Sequence, residues 1–221
     1  GLFIERSLQR WYLDLPADGV IAFWNTFYGT AHFIVTGFAL IWLYRRDKVR
    51  YPTWRNTLAF TTLFALIGFA SFSLMPPRLL DSTSEFGPPS ALNAQRDFGF
   101  EDTLARYGGP WSFESETLKD VSNQYAAMPS LHVAWATWAA LVLAPMVRRR
   151  WLRALVVLHP FATVFCILVT ANHYWLDAVG GLVILGGGYL CGRTLARWWD
   201  QRAAAGSGPS DGTPVVAAVG E

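Results

Sequence analysis

Tyr125-Ala126-Ala127-Met128-Pro129-Ser130-Leu131-His132, followed by an apolar run to about Val147, is the stretch on which the fold turns. Proline has a fixed φ suited to the first helical position, so a helix is expected to start at Pro129-Ser130. The first N–H groups of a helix lack intrahelical partners and carry the positive end of its dipole, which makes an anion site. His132 falls in the same first turn and can give or take a proton near neutral pH. About forty residues on stands Asn172-His173-Tyr174-Trp175-Leu176-Asp177. His173 and Asp177 are four apart and share one face of a helix.

Composition sets the class. The chain has 221 residues, 52% of them hydrophobic and 15% charged, with a mean hydropathy of +0.25. Soluble domains carry about 25% charged residues. Recurrent long apolar runs predict an all-α fold, a polytopic transmembrane bundle of five to six spans. A net charge of +2 without a basic aromatic stripe excludes a nucleic-acid partner. Eleven Trp and eight Tyr suit interfacial belts. Cys166 and Cys191 lie in apolar runs without metal-ligand spacing and are expected to be small buried hydrophobes. No signal peptide is visible, and the start at Gly1 leaves room for upstream residues.

Residues 1–18 mix Glu5, Arg6, Arg10 and Asp14 with Leu2, Phe3, Ile4, Leu8 and Trp11, an amphipathic segment expected along the interface. The transmembrane catalytic domain is expected over 19–200 and a disordered cytoplasmic tail over 203–221. Spans are predicted near 20–44, 56–75, 130–147, 154–172 and 174–193, with Pro160 kinking the fourth without ending it. Gly180-Gly181 and Gly186-Gly187-Gly188 suit close helix packing. The acidic loop 76–128 joins the second and third spans.

Charge gives the expected topology. Basic residues crowd 45–55, 148–153 and the stretch after 193, and the positive-inside rule puts them in the cytoplasm. Arg78, the acidic loop, His132 and His173 then share the extracytoplasmic side of a cell membrane.

Ionisable groups at membrane depth are costly and tend to be functional. Asp177 can accept the proton of one His173 ring nitrogen and leave the other as a nucleophile. His132 fits a general acid for the leaving group. Arg78 offers a planar fork to phosphate oxygens, and Ser130 reads as a phosphate ligand. Asn172 is expected either to hold phosphate or to cap the next helix. His32 is expected to make a helix–helix hydrogen bond, and His159 to be structural. A zinc site on His132, His173 and Asp177 lacks any supporting ligand spacing. No Gly-x-Ser-Gly stretch supports a serine protease.

Pro129-Ser130-Leu131-His132 and His173-Tyr174-Trp175-Leu176-Asp177 resemble the motifs of the type 2 phosphatidic acid phosphatase superfamily. Asn123 to His132 and Asn172 to Gly181 look most like its inositol-phosphotransferase branch, which includes inositol phosphorylceramide synthases. The resemblance implies a six-helix membrane core, a phosphohistidine on His173 supported by Asp177, leaving-group protonation by His132, and phosphate binding by Arg78 and Ser130. It implies no metal and no cofactor. The implied partners are a lipid-linked phosphate and a polyol or lipid alcohol acceptor. Ser71 and Ile167 stand where the phosphatase pattern has a lysine and an arginine, and Leu79 stands where a proline should follow Arg78. With two cations fewer, a phosphodiester or phosphotransferase chemistry suits the site better than a dianionic monoester. Arg96, Arg106 or Lys119 folding back is the alternative. Five spans are readable, so the family's first helix is expected to be missing, truncated or replaced by residues 1–18.

Overall fold

The computed structural model describes residues 4–15, 18–72, 74–80, 99–108 and 127–206. Among them are seven α-helices and no strand: α1 Ile4–Leu13, α2 Asp18–Arg46, α3 Tyr51–Ser71, α4 Thr103–Tyr107, α5 Leu131–Leu143, α6 Arg150–Val169 and α7 Trp175–Gly206, with a 3-10 turn at Pro77–Leu80. The fold is an all-α membrane helical bundle. Val20–Arg46, Arg150–Val169 and Trp175–Ala205 are long and apolar enough to cross a bilayer.

The other two predicted spans depart from expectation for local reasons. α3 has the length, but Arg55, Asn56 and four threonines dilute its apolar character. It ends at Ser71, short of Pro76, where Phe72 leaves the helical region and the chain turns out to pair. The N–H of Ala127 there donates to the Leu74 carbonyl at 3.4 Å. α5 stops at Leu143 because Pro145 ends its hydrogen-bond ladder. Thirteen residues rise only about 20 Å, less than a hydrocarbon core of about 30 Å.

α5 is short because it is central rather than lipid-facing. Ala134, Trp138, Ala139 and Val142 are fully buried and pack with Ala39 and Leu43 of α2 and Leu185 of α7. The Trp138 indole N–H donates to the Trp54 carbonyl at 2.9 Å, so a polar atom is satisfied inside the apolar layer. α3 and α7 run antiparallel, with Thr57 facing Gly192 and Thr61 facing Gly188. A Cβ at Gly192 would lie 2.6 Å from the Thr57 nitrogen, so the glycine permits the backbone contact. Gly186, by contrast, faces open space. Cys166 is buried as expected, but Cys191 is exposed on the outer side of α7.

α1 is amphipathic in the inverse sense. Glu5 and Gln9 are each 1% exposed, while Ile4 and Trp11 are each 56% exposed. The Gln9 amide exchanges two hydrogen bonds with the Glu101 backbone, at 2.9 and 3.1 Å. Its polar face thus turns to backbone groups that need partners, and its apolar face turns outward. Pro160 lies inside α6 without ending it. α7 continues past Arg193, so residues 203–206 are helical.

Candidate active site

Three chain reversals meet at one end of the bundle. The Arg78 N–H donates to the Ala171 carbonyl at 2.8 Å, joining the end of α3 to the α6–α7 turn. The Ser130 N–H donates to the Asp177 carbonyl at 2.9 Å, joining the start of α5 to the start of α7. Gly181 makes this approach possible, because a Cβ there would meet the Ser130 carbonyl. Ala171 has a φ of 51°, and the Asn172 and His173 N–H groups both return to the Ile167 carbonyl at 3.0 and 3.3 Å. The basic residues at 45–50 and 148–153 belong to the opposite ends of the same helices.

Pro129 falls one place before the helix rather than on its first position. Ser130 is the N-cap and Leu131 the first helical residue. The Ser130 hydroxyl is fully buried and has no hydrogen-bond partner. It does not cap α5, although serine at this position usually does. A buried unpaired hydroxyl costs about 1–3 kcal/mol.

His173 is 3% exposed and Asp177 is fully buried. His173 Nδ1 lies 2.8 Å from the Ala127 carbonyl and 3.4 Å from Asp177 Oδ2. Either contact puts the proton on Nδ1, and the backbone carbonyl is the nearer acceptor. Asp177 Oδ2 also accepts the Tyr174 N–H at 2.9 Å. His173 Nε2 is buried without a partner, as a nitrogen with a free lone pair would be. The His132 ring stands edge-on to that of His173 with centroids 5.4 Å apart.

Arg78 is 6% exposed, and its Nη1 donates to Asp102 Oδ2 at 2.8 Å. Asp102 comes from the acidic loop and also N-caps α4 through Oδ1, which accepts from Leu104 and Ala105. The Asn25 amide holds the same segment through the Thr103 and Gly108 carbonyls, both at 2.8 Å. The 99–108 segment is thereby tethered over the end that carries the histidines. Asn172 gives its amide nitrogen to the Thr170 hydroxyl at 2.8 Å and so braces the turn. Arg106 pairs with Glu101 at 2.8 Å, while Arg96 and Lys119 lie outside the described residues. Ile167 is fully buried in an apolar cluster beneath the site with Val133 and Ala178, a place that would not take a cation in place of the isoleucine.

Some contributors leave little trace in a linear reading. Glu5 Oε1 accepts the Trp175 N–H at 3.0 Å, putting a carboxylate from α1 on the start of α7. Burial first, and then the Asp177 and Glu5 charges, push the Tyr174 phenol up to about 12. His32, expected to hydrogen-bond between helices, meets α5 through its ring, 4.1 Å from that of His132. Tyr28 stacks on the same ring, 4.2 Å from His132 at 17°. A Tyr-x-x-x-His spacing in a span was the available signal for both. Asp102 could have been read as an N-cap, but not as the partner of Arg78. Among the described residues, no group of three His, Cys, Asp or Glu side chains is arranged to hold a metal.

A family model described as the PAP2 superfamily covers residues 1–191. No curated protein and no solved structure matches. That span takes in every site residue named above, and on it the chain belongs to the PAP2 superfamily, a family of membrane-associated phosphatases and phosphotransferases.

Proposed function

We propose that the protein is an integral membrane lipid-phosphate phosphatase or phosphotransferase acting through a phosphohistidine on His173 at the extracytoplasmic face. The observation that carries this reading is the division of labour on one imidazole. Its Nδ1 is committed to Ala127 and Asp177, and its Nε2 is buried and unpartnered. The Nε2 lone pair attacks phosphorus while the phosphorus–oxygen bond to the leaving group breaks. His132 gives its proton to that departing oxygen, then takes one from the acceptor hydroxyl, which attacks phosphorus and releases His173. Ser130 and Arg78 hold the phosphate oxygens, and Asn172 supports them by fixing the turn.

A phosphotransfer reaction, of the inositol-phosphotransferase kind, is favoured over a strict monoesterase. Ile167 and Ser71 supply no charge, and Arg78 already carries a carboxylate neighbour. A singly charged phosphodiester asks for less positive charge than a doubly charged monoester. The test is incubation of purified protein with phosphate-labelled phosphatidic acid and head-group-labelled phosphatidylinositol, with and without a lipid alcohol acceptor such as ceramide. Labelled new lipid supports a transferase, and free phosphate a phosphatase. A His173→Ala protein that folds and still forms either product would overturn the mechanism. Lipid transfer between vesicles without any product would favour a non-catalytic lipid-phosphate carrier.

A further inference from the structure

We infer that α2 supplies a ring clamp, Tyr28 and His32, that positions His132 as the proton donor; this rests on the reaction proposed above. Neither residue belongs to the two sequence motifs, and the first span carries no other stated role in the chemistry.

The observations converge on one ring. Tyr28 lies nearly parallel to His132, with centroids 4.2 Å apart and planes at 17°. His32 is one helical turn further along α2 and meets the same imidazole at 4.1 Å and 59°. Tyr28 also lies 6.2 Å from the His173 ring. Residues four apart on a helix share a face, so a single straight helix holds both rings against α5 without help from a loop. His32 is 7% exposed and is backed by Phe33 at 3.9 Å and Trp135 at 5.9 Å. A crevice too tight to hold a water molecule borders His132, lined among others by Phe27, Thr163 and Cys166. An imidazole that turned about χ2 would point its proton away from the oxygen that must receive it. Packing of two rings against the imidazole opposes that turn.

A positioning role predicts a signature that mere packing does not. Proton donation matters when the departing group is a poor one, such as a glycerol alkoxide. It matters little when the group leaves unaided, as p-nitrophenolate does. The variants are Tyr28→Leu and His32→Ala, with Tyr28→Phe and His32→Phe as ring-preserving controls. For phosphatidic acid in detergent micelles, the single-turnover rate of phosphoenzyme formation is expected to fall ~10- to 100-fold in the first two, with KM little changed. For p-nitrophenyl phosphate the loss stays within about threefold, and the two Phe variants retain most activity on both substrates. Equal losses on both substrates would overturn the inference, as would no loss on either.

A second measurement stands apart from turnover. In protein labelled with ¹³C-histidine, the His132 ring resonance, assigned by its loss in His132→Asn, is expected to be single and shifted upfield by the stacked phenol. In Tyr28→Leu the shift is lost and the resonance broadens or doubles. An unchanged resonance overturns the clamp even if the protein proves to have another activity. A leaving-group effect missing in His132→Asn itself would instead count against His132 as the acid.

Discussion

Asp102 Oδ2 and Arg78 Nη1 stand 2.8 Å apart, with both side chains largely shielded from solvent. The guanidinium proposed to grip phosphate is therefore already engaged by a carboxylate from the loop above it, and an incoming anion competes with that carboxylate. Asp102→Asn removes the charge but keeps an oxygen able to cap α4, since asparagine is as good an N-cap as aspartate. The expected outcome is a KM lower by ~3- to 10-fold and tighter inhibition by inorganic phosphate, at an unchanged melting temperature. A steady-state titration with phosphate as inhibitor decides it, and a raised KM would mean that Asp102 helps rather than rivals the substrate.

His173 has two acceptors for one proton. If Asp177 alone fixed the imidazole tautomer, replacing it with Asn would be as damaging as in enzymes where the carboxylate has no substitute, about 10⁴-fold. Here the Ala127 carbonyl at 2.8 Å is nearer than Asp177 Oδ2 at 3.4 Å. Asp177→Asn is thus expected to cost kcat ~10- to 100-fold, the share due to charge stabilisation of the ring. Single-turnover kinetics of phosphoenzyme formation measure it, and a loss near 10⁴-fold would show that the backbone contact does not hold the tautomer.

Gly181 and Gly186 separate a packing requirement from a general dislike of alanine. A Cβ at Gly181 meets the Ser130 backbone, whereas one at Gly186 meets nothing within 4 Å. Gly181→Ala should lower the melting temperature and reduce activity at least ~10-fold, because it parts the seam on which the two motifs sit. Gly186→Ala should match the parent or gain slightly, as alanine favours a helix by up to about 1 kcal/mol. Paired thermal melts and turnover assays in one detergent suffice, and equal behaviour of the two variants would refute the seam.

Tyr174 gives a signed pH prediction. Its phenol is held up to about 12 by burial and by the Asp177 and Glu5 charges, against an ordinary value of 10.0. A raised folded-state value means that the folded protein keeps the proton longer than the unfolded chain. That contribution to stability is whole below pH 10 and is lost as pH climbs toward 12. Tyr174→Phe should therefore lose less stability than the parent between about pH 10 and 11.5. Melting temperatures across that range test it, and parallel curves would show that Tyr174 carries no such linkage.

What could be read from the linear chain was set by apolar run length and by a few helix-end residues. The runs at 20–44, 154–172 and 174–193 became α2, α6 and α7 because twenty or more apolar residues have one low-cost arrangement in a bilayer. Meeting of Arg78, His132 and His173 at one end was equally legible, since each follows or precedes a span on the same side. The rest depended on who neighbours whom. Inward-facing Glu5 and Gln9 satisfy backbone groups of Trp175 and Glu101, distant in sequence, and no periodicity reports such a partner. α5 was overestimated because its interior sequence looks lipid-soluble, whether the surroundings are lipid or other helices. The roles of Tyr28 and His32 stayed hidden for a similar reason: an aromatic pair in an apolar span is ordinary until its neighbour is known.

The bond from Ser130 to the Asp177 carbonyl has a practical corollary for handling the protein. Damage confined to the amino-terminal helix, or detachment of the 99–108 cover, leaves that joint closed and the imidazoles in their mutual places. Any treatment that prises α5 from α7 takes away the proposed nucleophile and acid in the same stroke. Loss of catalytic competence during detergent extraction should therefore come as a single step, timed with that rupture rather than with fraying at the margins.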